Sequence, residues 1–96
     1  MILIDFLNRL KYEYGTLDRL TADTYYGRLS SIFVLLELDG ARLDAEYGLG
    51  LEKLLDRMGD INEDELENGL SADQLKALIH KVKLGLGLII NTIEQE

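Results

Sequence analysis

Apolar residues recur along this chain at three- and four-residue steps, the interval that lines one side of an α-helix. Leu3, Phe6, Leu7, Leu10 and Tyr14 form the first stripe and predict a helix over 2–14, with Gly15 placed to close it in the left-handed conformation. Leu17 and Leu20 fall out of phase with the second stripe, so 16–20 reads as a connector or a single turn. Ala22, Tyr25, Tyr26, Leu29, Ile32, Phe33 and Leu36 make up that second stripe and predict a helix over 22–39, capped by Thr21 or Thr24 and ended by Asp39-Gly40.

The stretch after Asp39-Gly40 supports two readings. Leu43, Ala45, Tyr47 and Leu49 alternate with Arg42, Asp44, Glu46 and Gly48, which is the pattern of a hairpin strand across residues 32–49. Leu43, Tyr47, Leu51, Leu54, Leu55 and Met58 also gather on one helical arc, and residues 41–58 hold no β-branched side chain. The helical reading, 42–58 ending at Gly59, is the stronger.

Residues 59–71 are the least regular part. Asn62 and Glu65 have the spacing of a reciprocal capping pair, so one short helical turn is expected within 60–69, closed by Gly69 and anchored by Leu66. The last helix has the clearest start: Ser71 as cap, Gln74 three residues on, and Leu70 and Leu75 spaced as a hydrophobic staple. Leu75, Leu78, Ile79, Val82, Leu86, Ile89, Ile90 and Ile93 then hold one stripe over 72–94, with Gly85 at its edge, where a close helix crossing is possible. The expected fold is all-α, a small four-helix bundle in a single domain of 96 residues.

The final helix has a second apolar side. Ala77, Leu84 and Leu88 project opposite the main stripe, and a helix with two apolar faces is either central to its own bundle or covered by another chain. Ala77, Leu84 and Leu88 are therefore the expected interface of a homodimer, since two-fold pairs are the commonest oligomers.

Composition narrows the function classes. Eighteen acids against ten bases give a net charge of −8, which repels phosphate backbones and argues against direct nucleic-acid binding. The absence of cysteine removes disulfides, thiolate metal sites and a thiol nucleophile. Met1-Ile2-Leu3-Ile4 meets Asp5 at once and lacks a basic flank, so neither a signal segment nor a membrane association is expected, and the protein reads as cytoplasmic.

The acidic excess concentrates in Asp60, Glu63, Asp64, Glu65 and Glu67, a surface suited to a partner with a basic face; Tyr12, off the core arc, joins it as a contact residue, whereas Tyr14, Tyr25 and Tyr47 lie on core arcs. Asp60, Asn62 and Asp64 also have the one-three-five spacing of an EF-hand loop, and Gly59-Asp60-Ile61-Asn62 resembles the opening of a dockerin repeat. The match departs at Glu65, where the loop needs glycine, and at Ser71, where it needs a bidentate glutamate; a weak calcium-responsive binder is the resulting alternative.

His80, the sole histidine, follows Lys76 by one turn with Lys83 beyond it, and no carboxylate is locally placed to orient it. Gly48-Leu49-Gly50 lacks the third glycine and preceding strand of a phosphate loop. The expectation is a protein that is not an enzyme and takes no cofactor: an interaction module of inhibitor, immunity or antitoxin type that binds and regulates a macromolecular partner. The other reading is an assembly factor or chaperone that masks an apolar segment.

Overall fold

Four helical rods make up the chain in the computed structural model, which describes residues 1–95. The first is α1, Leu3–Thr16, extended by a single 3-10 turn at Leu17–Arg19. The second joins α2 (Tyr25–Leu35), a π turn (Leu36–Gly40) and α3 (Ala41–Tyr47) without interruption. The third is α4, Glu52–Glu65, and the fourth is α5, Ala72–Glu94. Among the described residues there is no strand, so the hairpin reading of 32–49 does not apply.

The all-α bundle is as the periodicity predicts, but three boundaries move. Gly15 keeps a helical backbone and α1 runs on to Thr16, because Leu17, four residues after the buried Glu13, continues the buried side past it. Asp39-Gly40 does not end the second rod. Gly40 is buried with helical φ −61 and ψ −49, and a β-carbon there would meet Leu55 Cδ2 at 3.3 Å and Phe6 Cζ at 3.4 Å. This glycine serves close packing, not termination.

The single helix expected over 42–58 is in fact two. Gly48 (φ +62) and Gly50 (φ +73) both take the left-handed conformation that glycine adopts without steric cost, so the chain turns between α3 and α4. Asp44 holds the turn: its carbonyl accepts from Gly48 N at 2.8 Å and its Oδ1 accepts from Leu51 N at 2.9 Å. Leu49 and Leu51 are thereby buried, and Tyr47, expected in the core, is left exposed.

Gly59 faces solvent and does not stop α4, since Met58 and Ile61 are both buried and carry the apolar spacing past it. A mid-helix glycine costs about 1 kcal/mol relative to alanine, less than the roughly 1.5–3 kcal/mol that burial of one such side chain contributes. The separate short turn expected in 60–69 is therefore absent: Asn62 and Glu65 lie within α4, and only Gly69 (φ +77) retains a turn role.

The cap of α5 forms as its sequence predicts. Gln74 N donates to Ser71 Oγ at 3.1 Å, and Ser71 N donates to Gln74 Oε1 at 2.9 Å. Leu75, Leu78, Val82, Leu86, Ile89, Ile90 and Ile93 are buried along the helix. At 1.5 Å per residue α5 is about 34 Å long, close to the 39 Å longest dimension of the molecule, and it packs against α4, α1 and the 3-10 turn, while the second rod packs on α4.

Candidate interaction surface

α5 is gripped from two sides by residues that glycine lets approach. A β-carbon on Gly85 would overlap the Sδ of Met58 from α4, and one on Gly87 would meet Tyr14 Cε2 from α1 at 3.3 Å. Positions 85 and 87 lie about 200° apart around a helix, so α4 and α1 flank α5 and leave a strip of it facing outward. That strip carries Ala77, Leu84 and Leu88. Leu84 is 56% and Leu88 49% exposed, although the helix they stand on buries eight residues on its other side.

The two leucines form a ridge with hollows beside it. A groove of about 580 Å³ runs past Leu84 and Leu88 and is walled by Tyr14 on the α1 side and Leu54 and Met58 on the α4 side. A second hollow of about 620 Å³, toward the start of α5, is lined by Leu20, Leu70, Leu75 and Ile79, with Lys76 and His80 on its rim. Leu84 and Leu88, placed opposite the core by the sequence, do stand on the outside of α5; the flanking hollows come from side chains far apart in the chain.

Three ion pairs ring the ridge: Lys81 to Glu65 at 2.6 Å, Lys83 to Asp18 at 2.7 Å and Lys11 to Glu94 at 2.9 Å. Each ties a neighboring element to α5. Lys83 also lies 5.1 Å from the center of the Tyr14 ring. The hydrogen bond to Asp18 raises the Lys83 ammonium above its ordinary pKa, with desolvation opposing and the charges of Asp18 and Tyr14 adding to the rise.

Asp60, Glu63, Asp64 and Glu65 occupy the last two turns of α4, and Glu67 lies in the loop after it. No base sits in that last turn, so the carboxylates face the negative end of the helix dipole, relieved at Glu65 by Lys81. Tyr12, 60% exposed, is on α1, across α5 from this acidic end, so the structure does not bring it together with the acids. Asp60, Asn62 and Asp64 lie on a helix, where alternate residues point to opposite sides, so their spacing does not produce a calcium loop. His80 is exposed beside Lys76, on the rim of the second hollow.

Two buried polar features escape the sequence reading. Glu13 is 2% exposed; Arg9 Nε donates to its Oε1 at 3.1 Å and Arg28 to its Oε2 at 3.0 Å, while Arg28 also donates to Thr16 Oγ1 at 3.0 Å. The local signal is Arg9 one turn before Glu13, but Arg28 comes from α2 and only folding reveals it. Tyr25, correctly placed in the core, uses its hydroxyl to donate to Glu67 O at 2.6 Å and to accept from Leu70 N at 3.2 Å.

No protein-family model matches this chain, and no curated protein or solved structure shows significant similarity to it.

Proposed function

We propose that this protein is a non-catalytic interaction module that binds and regulates or inhibits a macromolecular partner, with the outer strip of α5 as its contact surface. One observation carries the reading: Leu84 and Leu88 stand half-exposed in line on the outer side of α5, beside a groove lined by Tyr14 and Leu54. Anchor side chains flanked by pockets and ringed by polar pairs have the anatomy of a protein–protein contact, an apolar center within a polar rim. The acidic end of α4 borders this strip through the Glu65–Lys81 pair, and supplies charge to steer a basic partner.

The test uses the full chain and a Leu84→Asp, Leu88→Asp double variant, first matched by circular dichroism. Proteins crosslinked to the wild type in cells should be recovered at least about tenfold less with the variant, as expected when central contact residues are removed. Equal recovery would reject α5 as the contact surface. Reversal of Glu63, Asp64 and Glu67 to lysine should lower the association rate and its salt dependence.

A further inference from the structure

The geometry points to a binding site for a medium-chain fatty carboxylate in the second hollow, with the hydrocarbon tail among Leu20, Leu70 and Ile79 and the carboxylate at Lys76 and His80. This site is separate from the Leu84–Leu88 ridge and does not depend on what binds there. The hollow exists because the first rod ends at Arg19 while α2 begins only at Tyr25. Leu20 leaves the 3-10 turn with an extended backbone (φ −70, ψ 139), so a loop and not a helix faces the first turns of α5 on this side. About 620 Å³ is left open there, a volume in the range of small-molecule sites.

The lining divides by chemistry. Leu20, Leu70 and Ile79 are each half-buried, so they keep apolar surface that the fold does not cover. Their side chains offer no hydrogen bond. A peptide laid along them would leave its amides without partners, whereas a hydrocarbon chain asks for none.

The polar residues enter along one edge. Lys76 and His80 each follow an apolar lining residue, Leu75 and Ile79, by one 100° step, which sets them one turn apart on the solvent side of that wall. Lys83, farther along, is bonded to Asp18 at 2.7 Å, and Asp18 is the one acid that lines the hollow among the described residues, so that pair cancels. Lys76 makes no ion pair among the described residues, either with Asp73 one turn before it or with any other acid. Neither Asp73 nor Asp23, which follow Ala72 and Ala22 of the lining, lines the hollow itself. The edge thus presents an uncommitted ammonium and a ring N–H, both exposed, although the whole chain carries −8. A carboxylate can accept from both groups, and a cationic head would be repelled by Lys76.

Titration of the isotope-labeled full chain with sodium decanoate, followed by two-dimensional NMR, tests the site. Saturable amide shifts clustered at Leu20, Leu70 and Ile79 are expected, with a Kd below about 1 mM. Acetate has the head without the tail and decylammonium the tail with the opposite head, so each should bind at least about tenfold more weakly. Lys76 is exposed, so Lys76→Glu keeps the fold, and it should weaken decanoate about fivefold, the scale of a surface pair turned repulsive. Leu84→Asp with Leu88→Asp should leave decanoate affinity unchanged, which separates this site from the ridge. Shifts that do not saturate, shifts centered on Leu84 and Leu88, equal affinity for decanoate and decylammonium, or a Lys76→Glu chain that binds decanoate as well as wild type would each overturn the site.

Discussion

Met58 of α4 packs onto Gly85 of α5 so closely that its sulfur takes the space a β-carbon at residue 85 would need, with its Cε 3.2 Å from that point. A β-carbon at Gly87, two residues on, would lie 3.3 Å from Tyr14 Cε2. Both glycines cost α5 up to about 1 kcal/mol of helix propensity. Only one of the neighbors is confined: Met58 is enclosed in the core, whereas Tyr14 lies partly in solvent.

Alanine at the two positions should therefore act in opposite directions. Gly85→Ala overpacks an enclosed site, an effect of about 1–3 kcal/mol that exceeds the gain in propensity, and should lower the urea midpoint. Gly87→Ala needs only a small shift of an exposed ring and should raise the midpoint or leave it unchanged. A stabilized Gly85→Ala would mean that α4 and α5 do not cross where Met58 and Gly85 place them.

The Tyr25 hydroxyl ties the loop between α4 and α5 to α2 by bonding Glu67 O and Leu70 N. Tyr25→Phe keeps the buried ring and removes both bonds, leaving two backbone groups without that partner. A loss of about 1–2 kcal/mol is expected in chemical denaturation, with faster hydrogen exchange at the Leu70 amide. Unaltered exchange at Leu70 would show that the bond does not hold the loop.

Glu13 is a buried carboxylate whose two arginines are not buried: the Arg9 and Arg28 side chains keep 46% and 39% exposure. Freed of Glu13 they can turn to water, so Glu13→Leu should change stability by no more than about 1 kcal/mol, less than the several kcal/mol lost when a buried charge is stranded. Glu13→Ala also leaves a cavity and should cost more than Glu13→Leu. Thermal melts of the two variants compare them; equal and large losses would mean the ion pairs themselves hold α1 to α2.

Lys83 has a raised pKa because Asp18 hydrogen-bonds its ammonium. A cation held above its unfolded pKa contributes stability that is complete below that value and is lost as pH rises through the folded one. The contribution should therefore be intact at neutral pH and fade only above 10.5, the ordinary lysine value. Melts from about pH 8.5 to about pH 11.5 should show a steeper alkaline decline for wild type than for Asp18→Asn, in which the pair is gone. Parallel declines would mean that the pair does not hold the 3-10 turn to α5.

The sequence by itself determined the elements whose causes are local. The Ser71–Gln74 cap is built from neighbors three residues apart, and the Leu75–Ile93 stripe specifies a helix and its buried side through period alone. The outward position of Ala77, Leu84 and Leu88 follows from the same period. Tertiary structure alone decided what each glycine does. Gly40 and Gly85 are places of close approach because Phe6, Leu55 and Met58 arrive from elsewhere in the chain, and Gly59 is passed over because Ile61 finds a core to enter. Gly48 and Gly50 break the helix because that turn buries Leu49 and Leu51 together. A glycine permits a turn, a crossing or continuation at similar local cost, and the choice among them lies with distant side chains that a local pattern does not contain. The hollows beside the α5 ridge and the ion pairs around it have the same origin, being assembled from helices that meet only in the folded state.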